Sequence, residues 1–259
     1  MALDLKISGK TALVTGASRG IGRATCVELA ELGVNIVAVA RNQSDLDSLA
    51  NEISNKSKFI PILLDLSKAT NLEILFSQTA GLDIDIIVNN LGGNLNFTDP
   101  LGSYEEFQAV FYLNFGVAVE INRHYIAKMR DRKWGRICHV SSISALENQG
   151  PPQYCAAKAA LNAYVRSVGR YLAPENVLLN GVMPGAVYTQ GGYWDEAEKT
   201  RPEYVRNYLQ TRMAIKRFGT LEEITKVIAF LVSDYSSFMV GSTVLVDGGQ
   251  GKSFEHLDI

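Results

Sequence analysis

The sequence predicts an α/β protein built on a doubly wound parallel sheet of about seven strands, with helices on both faces. Short β-branched apolar runs alternate with amphipathic stretches along the chain. The runs are continuously apolar rather than alternating, which is typical of strands buried on both faces of a parallel sheet. Because crossovers between parallel strands are right-handed, this alternation predicts helices on both sides of the sheet.

Seven segments are expected to form the strands. The first, TALVT, is apolar and is followed by Gly16, as a buried strand before a tight turn would be. The second, VNIVAVA, follows Gly33 and ends at Arg41. The predicted strands cover residues 11–15, 34–40, 59–64, 84–89, 135–141, 177–183 and 242–247.

Helices are expected between these strands. The first carries apolar residues at helical spacing and stops at Gly33, and the second opens at Ser44 or Asp45. A helix entered through Pro152 follows the fifth strand. Apart from the second helix, the predicted helices cover residues 20–32, 68–78, 104–131, 152–172 and 221–233.

Length and composition favour one domain. The chain has 259 residues, of which 47% are hydrophobic, enough for one sizeable core. We expect a single domain over 1–259, with a substrate loop or lid at about 188–217 inside a long irregular stretch, 184–217, in which 195–211 can be helical. Lys and Arg number 25 and Asp and Glu 27, a net charge of −2, which argues against a nucleic-acid partner.

Cysteine and histidine usage predicts a cytoplasmic protein without a metal. Three widely spaced cysteines form neither a disulfide framework nor a zinc knuckle. The N-terminal residues lack the apolar region of a signal peptide, and no apolar run is long enough for a membrane span. The histidines have no metal-ligand spacing, and His139, within a buried-strand pattern, is expected to be a hydrogen-bonded core residue. The cysteines are Cys26, Cys138 and Cys155, and the histidines are His124, His139 and His256.

The turn after the first strand, TGASRGIG, has the composition of a phosphate-binding loop. Gly16 permits a tight turn, Gly20 lets the backbone approach a ligand, and Gly22 lets the helix pack on the strand. The free N–H groups of the following helix favour a pyrophosphate. The spacing G-x-x-x-G-x-G differs from the commonest dinucleotide pattern, and a flexible turn is the alternative interpretation.

The end of the second strand favours NADP(H) over NAD(H). A carboxylate there would bind the ribose 2′-hydroxyl, but the chain has Arg41 and no acid before Asp45. Arg41 suits a 2′-phosphate, and Arg19 in the glycine turn can reach the same group. The alternative is that both are ordinary surface arginines.

Tyr154 and Lys158 predict acid–base chemistry. Their i, i+4 spacing puts both on one helix face. An ammonium near a phenol stabilises the phenolate, so we expect Lys158 to lower the pKa of Tyr154. Ser141 and Ser142 follow the fifth strand, at the edge where open α/β sheets place their sites, and a hydroxyl there can bind a substrate oxygen.

Together, these motifs resemble the short-chain dehydrogenase/reductase family, in its single-domain form on a Rossmann fold. The resemblance extends from about Leu5 to Gly249. Besides TGASRGIG, Ser141-Ser142 and Tyr154-x-x-x-Lys158, the motifs that carry it are Asn89-Asn90-Leu91-Gly92, Asn114, Pro184-Gly185-Ala186-Val187-Tyr188-Thr189 and Val246-Asp247-Gly248-Gly249.

The resemblance implies four catalytic residues. Tyr154 would be the general acid/base, and Lys158 would lower its pKa and bind the nicotinamide ribose. Ser142 would polarise the substrate carbonyl, and Asn114 would hold a water of a proton relay. Ser141 lies at the usual spacing of 13 from the tyrosine, but the family's serine is usually the second of the pair, which favours Ser142.

The resemblance also implies the cofactor contacts. Asp65 and the Leu66 backbone would bind the adenine, Asn90 and Gly92 would line the adenosine side, and Leu91 replaces the family's small alanine. The remaining positions expected to bind NADP(H), together with Tyr154 and Lys158, are Gly16, Ser18, Arg19, Gly20, Ile21, Gly22, Arg41, Pro184, Gly185, Val187 and Thr189.

These features predict an NADP(H)-dependent oxidoreductase acting on a ketone or secondary alcohol. A 3-oxoacyl thioester is one expected substrate. Basic residues near the site would then bind the acidic carrier protein that bears the acyl group. A sugar, polyol or other small carbonyl compound is the alternative, because Asn94, Asn96 and Gln149 could bind hydroxyls. A non-catalytic NADP-binding protein is the alternative from another class. The resemblance implies a homotetramer or homodimer, and the candidate basic residues are Lys128, Arg130, Arg132, Lys133, Lys216 and Arg217.

Overall fold

A seven-stranded parallel sheet forms the centre of the protein, in the order β3-β2-β1-β4-β5-β6-β7. The computed structural model describes residues 4–252. The predicted doubly wound α/β fold is confirmed, and each strand lies within one or two residues of its predicted bounds. The strands are β1 Thr11–Thr15, β2 Asn35–Ala40, β3 Phe59–Leu63, β4 Ile86–Asn89, β5 Gly135–Val140, β6 Val177–Pro184 and β7 Thr243–Val246.

Helices cover both faces of this sheet. Within residues 4–252, no helix is both long and apolar enough to cross a membrane. The helices are α1 Gly20–Glu31, α2 Gln43–Ile53, α3 Thr70–Gln78, α4 Tyr104–Phe111, α5 Val117–Asp131, α6 Pro152–Leu172, α7 Tyr193–Thr200, α8 Pro202–Arg212 and α9 Leu221–Leu231.

The core consists of two layers, because side chains on each strand alternate between the two faces. Val14 and Val88 pack in one layer, under α1, α2 and α9. Leu13 and Ile87 pack in the other, with α3, α5 and α6. Both layers are buried, which explains why the strands read as unbroken apolar runs.

The strand order reverses between β1 and β4, which are neighbours in the sheet. Asn90, just after β4, donates from Nδ2 to the carbonyl oxygens of Thr15 at 3.0 Å and Gly16 at 3.1 Å. The Thr15 hydroxyl in turn accepts from the backbone N–H groups of Asn90 and Leu91. The ends of the two strands are thus joined at the crevice where such sheets bind ligands.

Two helix boundaries differ from the prediction because of local capping chemistry. Helix α2 begins at Gln43 rather than at Ser44 or Asp45, since the Asn42 side chain accepts from the N–H groups of both these residues. The stretch predicted as one helix over 195–211 forms two helices, α7 and α8. Pro202 opens the second one, where its missing N–H has no cost.

The segment predicted as one helix over 104–131 is helical throughout, but its hydrogen-bond pattern changes within it. A π-helical turn, Tyr112–Gly116, separates α4 from α5 and contains Asn114. Such turns insert one extra residue into the hydrogen-bond ladder and are frequent at functional sites.

Candidate active site

The glycine turn between β1 and α1 is built for close approach of backbone to ligand. Gly16 and Gly20 have φ angles of +64° and +56°, which L side chains rarely adopt. A Cβ at Gly22 would clash with the carbonyl oxygen of Gly16 and with Asn90 Nδ2. The first turn of α1 carries no acidic residue, so its N–H groups present an uncompensated positive end. Ser18 and Ile21, in the same turn, are half-buried.

Two arginines lie near the carboxyl ends of β1 and β2, Arg19 in the glycine turn and Arg41 directly after β2. Arg19 and Arg41 are exposed, and neither side chain makes a hydrogen bond or ion pair to another residue in the range 4–252. Asp65, at the end of β3, has a lowered pKa, chiefly through its hydrogen bond with Ser67 and in smaller part through the charge of Arg41. Leu66 beside it is buried.

Ser142 and Tyr154 face each other at the carboxyl end of β5. Burial raises the pKa of Tyr154, and a hydrogen bond with Ser142, which puts the two hydroxyls side by side, opposes that rise. Ser142 Oγ also accepts from the N–H of Ser144 at 3.1 Å, which orients it. The Oγ of Ser141, by contrast, is buried and has no hydrogen-bond partner in residues 4–252.

Lys158 lies one helical turn beyond Tyr154, and its side chain is 2% exposed. Its Nζ lies 5.6 Å from the centroid of the Tyr154 ring and donates to the carbonyl oxygen of Val140 at 2.9 Å. Burial lowers the pKa of this ammonium to about 8. The lysine can therefore exist in both charge states near neutral pH.

The pKa of Tyr154 differs from the sequence-based expectation. Burial raises it, and Ser142 rather than Lys158 opposes this effect. The physical reason is that the phenol and the ammonium are both withdrawn from water, which disfavours the charged form of each. In residues 4–252 the Lys158 ammonium donates to the carbonyl oxygen of Val140 and makes no hydrogen bond with the phenol oxygen.

Asn114 is held beside Lys158 by the π-helical turn. Its Nδ2 donates to the carbonyl oxygens of Gly93 at 2.7 Å and Val110 at 2.8 Å, and its Oδ1 accepts from the Gly93 N–H. A Cβ at Gly92 would lie 2.5 Å from Asn114 Oδ1 and 3.1 Å from Lys158 Nζ. Gly92 thus borders the Tyr154–Lys158 pair.

The segment after β6 crosses the crevice towards the glycine turn. The Gly185 N–H donates to Val246 O, and the Ala186 N–H donates to Gln250 Oε1 at 2.6 Å. Val187 forms a bridge with Gly219. A Cβ at Gly20 would lie 3.4 Å from Thr189 Cγ2, so this segment ends against the glycine turn.

Aromatic side chains anchor the region that follows. Trp194 lies 4.4 Å from Tyr208 and 4.8 Å from Phe218 between ring centroids, and it stacks on Tyr204. These rings pack on one another, which joins α7 to α8.

Two other residues considered in the sequence contribute to packing. Leu91 is partly buried against the core, and the buried His139 forms a hydrogen bond with Asn122.

Sequence reasoning missed two polar residues. Asp195, in α7, binds Tyr188 Oη, the Gly191 N–H and Lys199 Nζ, which hold its pKa at about 2. Gln250 is buried beside the segment after β6. A polar residue directly after the Val246–Gly249 motif was the only sequence signal for Gln250.

The comparison with known proteins settles the family. A family model described as short chain dehydrogenase matches residues 10–199. The chain belongs to the short-chain dehydrogenase family.

In residues 4–252 no group of three metal-binding side chains occurs, and His256 lies outside the described residues.

Relatives with different substrates resemble this short-chain dehydrogenase over nearly its whole length. A 3-oxoacyl-(acyl-carrier-protein) reductase of Aquifex aeolicus is 30% identical over 95% of this chain and 99% of its own. An L-xylulose reductase of Caenorhabditis elegans is 33% identical, with coverages of 96% and 98%. The crystal structure of L-sorbose reductase from Gluconobacter frateurii with NADPH and L-sorbose has a TM-score of 0.90, 29% identity, and coverages of 98% and 100%.

The short-chain dehydrogenase is an NADP(H)-dependent oxidoreductase acting on CH–OH or C=O groups. Its residues fit this cofactor. Gly22 leaves no room for a Cβ against the Gly16 carbonyl oxygen and Asn90 Nδ2, so the first turn of α1, which carries no acidic residue, packs closely on the end of β1. No carboxylate ends β2, where Arg41 stands instead.

Proposed function

We propose that the protein reduces the carbonyl group of a small, freely diffusing compound to an alcohol, with Tyr154 as the proton donor. The observation that carries this proposal is the convergence of Ser142, Tyr154, Lys158 and Asn114 at the carboxyl end of β5. NADPH, when bound, supplies the hydride.

In this proposal each side chain acts on a stated atom. The hydroxyls of Ser142 and Tyr154, already neighbours, both donate hydrogen bonds to the substrate carbonyl oxygen. Tyr154 transfers its proton to that oxygen as negative charge develops on it. Lys158, charged below a pKa of about 8, stabilises the phenolate that remains. To restore Tyr154, Lys158 passes a proton to the phenolate, and a water molecule held by Asn114 returns a proton to Lys158.

The cofactor contacts are part of the same proposal. The glycine turn would hold the pyrophosphate, Arg19 and Arg41 the 2′-phosphate, and Asp65 with Leu66 the adenine. Gly92, bordering Lys158, would lie along the nicotinamide ribose, and the segment after β6 would contact the nicotinamide. The proposed set, besides Tyr154 and Lys158, is Gly16, Ser18, Arg19, Gly20, Ile21, Gly22, Arg41, Asp65, Leu66, Asn90, Gly92, Pro184, Gly185, Val187 and Thr189.

A free substrate is favoured over a carrier-bound one by the position of the basic residues. Residues 128–133 lie at the end of α5, which leads into the amino end of β5. Ser142 follows the carboxyl end of the same strand, so these residues lie at the opposite edge of the sheet from the site. They therefore do not surround the mouth of the site, contrary to what we expected from the sequence.

The same basic residues are also engaged locally. Arg130 and Lys133 both pair with Glu175, and Arg132 pairs with Asp83 and Asp85. Arg217, nearer the site, pairs with Glu223. In each case the positive charge has a local partner, which weakens attraction for an acidic carrier protein.

A 3-oxoacyl thioester is the second candidate substrate. The observation that favours it is the 30% identity to a 3-oxoacyl-(acyl-carrier-protein) reductase over 95% of this chain. The relatives that act on L-xylulose and L-sorbose favour the free substrate. A protein that binds NADP(H) without catalysis would not require the four converging side chains.

The test follows NADPH absorbance with purified enzyme, offering L-sorbose and an acetoacetyl thioester in parallel. We expect faster oxidation of NADPH with the ketose. Tyr154→Phe should lower kcat by about 100-fold or more while leaving the Kd for NADPH unchanged, because it removes only the transferable proton. Near-normal turnover by Tyr154→Phe would contradict the assigned role. A lower KM for the thioester would favour the second candidate.

The proposal extends to assembly, location and the lid. The apolar side chains of Phe238 and Leu245, which are 100% and 42% exposed, support a homotetramer or homodimer. The free thiols of Cys26, Cys138 and Cys155 suit a cytoplasmic protein. Residues 188–217 would form the lid of a single domain. Light scattering, cell fractionation and limited proteolysis with and without NADPH check these three points.

A further inference from the structure

A cavity of about 310 Å³ lies between the loop that precedes Tyr154 and helix α8. A Cβ at Gly150, next to Gln149, would lie 3.3 Å from Cδ1 of Tyr154, so this wall of the cavity adjoins the proposed proton donor. The lining is polar and contains no carboxylate. It consists of Gln149, Tyr204, Asn207, Tyr208, Thr211 and Arg212.

Gln250 holds two sides of this cavity together. Its side chain is buried and bridges three segments of the chain. Oε1 accepts from the Ala186 N–H at 2.6 Å, while Nε2 donates to Tyr208 Oη at 2.7 Å and to Gln149 Oε1 at 3.3 Å.

These contacts determine which groups face the cavity. A backbone N–H can only donate, so the side-chain atom of Gln250 that contacts the Ala186 N–H must be its oxygen. The NH₂ group of Gln250 therefore points towards Tyr208 and Gln149 in the cavity wall. Tyr208 Oη accepts from that NH₂, which leaves its own proton free to be donated. Gln149 accepts through its oxygen, which leaves its NH₂ group free.

Arg212 adds a positive charge to the same wall. Its guanidinium makes no ion pair or hydrogen bond with another residue within 4–252, in contrast to Arg217, which pairs with Glu223. The cavity thus presents the Tyr208 hydroxyl, the Gln149 amide and a guanidinium, all of which are hydrogen-bond donors. Oxygen-rich and anionic groups are the ligands that satisfy such donors.

We propose that this cavity binds the part of the substrate distal to its carbonyl, and that the substrate is a small polyhydroxylated compound bearing a carboxylate. Arg212 pairs with the carboxylate, and Tyr208 and Gln149 donate to hydroxyl oxygens. Gln250 is a positioning residue, which acts by directing the protons of Tyr208 and Gln149 into the cavity. This inference rests on the proposed function, since it describes the same active site.

The test compares kcat/KM at saturating NADPH for ketogluconate, L-sorbose and cyclohexanone, using wild type, Arg212→Gln and Arg206→Gln. Ketogluconate is hydroxylated and anionic, L-sorbose is hydroxylated and uncharged, and cyclohexanone has neither feature. Arg206 is a matched control, because it is exposed on α8 and does not line the cavity.

We expect wild type to prefer ketogluconate, then L-sorbose, then cyclohexanone. Arg212→Gln should raise KM for ketogluconate about tenfold or more, as the loss of a charged hydrogen bond predicts, and leave L-sorbose nearly unchanged. Arg206→Gln should change neither substrate. Preference for cyclohexanone, or an equal loss with both sugars in Arg212→Gln, would overturn the proposal.

Gln250→Glu tests the positioning role. It keeps the acceptor for Ala186 but removes the NH₂ that donates to Tyr208, so the Tyr208 proton turns inward. We expect KM for both hydroxylated substrates to rise while cyclohexanone is unaffected. A uniform change in kcat for all three ketones would instead indicate a merely structural role for Gln250.

Failure of this inference can be told from failure of the proposed function. If no carbonyl compound oxidises NADPH, the proposed function is wrong. Calorimetry with gluconate and the NADP⁺-loaded protein then still tests the cavity. Binding that is lost in Arg212→Gln and kept in Arg206→Gln supports it, and absence of binding to wild type contradicts it.

Discussion

The ammonium of Lys158 donates a hydrogen bond of 2.9 Å to the carbonyl oxygen of Val140, at the last residue of β5. Both Ser142 and Tyr154, the other two catalytic candidates of this segment, lie between Val140 and Lys158 along the chain. One backbone carbonyl thus joins the helix that carries Tyr154 and Lys158 to the strand that leads to Ser142.

Burial of Lys158 predicts that NADPH binding depends on pH. Its pKa is lowered to about 8, so the side chain loses its charge as the pH rises through that value. Since the ammonium would bind the ribose hydroxyls, we expect the Kd for NADPH to rise between about pH 7 and 9. Nicotinamide fluorescence titrations check this. Lys158→Met should bind weakly with a flat profile over the same range, and a flat profile for wild type would contradict the prediction.

The same burial predicts that Lys158 destabilises the fold. Between the folded pKa of about 8 and the unfolded pKa of about 10.4, the unfolded chain binds more protons than the folded one. The free energy of unfolding therefore increases with pH over this range. Below pH 8 the charged lysine is buried in the folded state, and its full destabilising effect is present. At pH 7, Lys158→Met should therefore raise the free energy of unfolding by about 1–3 kcal/mol while abolishing turnover. Urea unfolding at pH 7 and pH 9.5 measures this, and the gain should shrink at the higher pH.

The two adjacent serines should differ in their effect on turnover. Ser142→Ala removes a hydroxyl that contacts Tyr154, and we expect kcat to fall about 10²–10³-fold, as for loss of one oxyanion donor. Ser141→Ala removes a buried hydroxyl without a partner, so kcat should stay within about threefold of wild type and stability should not fall. Equal losses in the two variants would show that the orientation of the pair is different in the working enzyme.

Arg41 should determine the preference for NADPH over NADH. Arg41→Asp replaces a free guanidinium with a carboxylate that repels a 2′-phosphate and suits a 2′-hydroxyl. We expect the ratio of kcat/KM for NADPH to that for NADH to fall about 10–100-fold. Arg170→Asp, at an exposed position near the end of α6, is the control for charge reversal. If the ratio stays at its wild-type value, Arg41 is a surface arginine.

Gly92 should tolerate no side chain. In Gly92→Ala the new methyl group would lie 2.5 Å from Asn114 Oδ1 and 3.1 Å from Lys158 Nζ, so at least one of them must move. We expect a large loss of kcat with little change in the melting temperature, because the clash involves the ends of side chains at the crevice. Gly81→Ala is the matched control, since a Cβ there meets nothing within 4 Å. Wild-type kcat in Gly92→Ala would show that the site adapts.

Much of the fold could be predicted because its signals are local. β1 and α6 have the bounds that were predicted, since an apolar run before glycine and a proline at the first helical position each depend on a few neighbours. The π-helical turn at Asn114 could not be predicted, because its sequence continues the apolar spacing of an ordinary helix. The start of α2 depended on one cap, Asn42, whose side chain can also belong to a turn.

The sequence by itself determined the family and the cofactor class, because both depend on residue types at fixed spacing in motifs that can each be read from one short segment. Tertiary structure alone decided that Ser142 rather than Ser141 meets Tyr154. It also decided that the basic end of α5 lies at the far edge of the sheet. Gln250 shows the reason, since its three partners are 64, 42 and 101 residues away along the chain. Which donors face the cavity is set by contacts between distant segments, and no local pattern of residues encodes them.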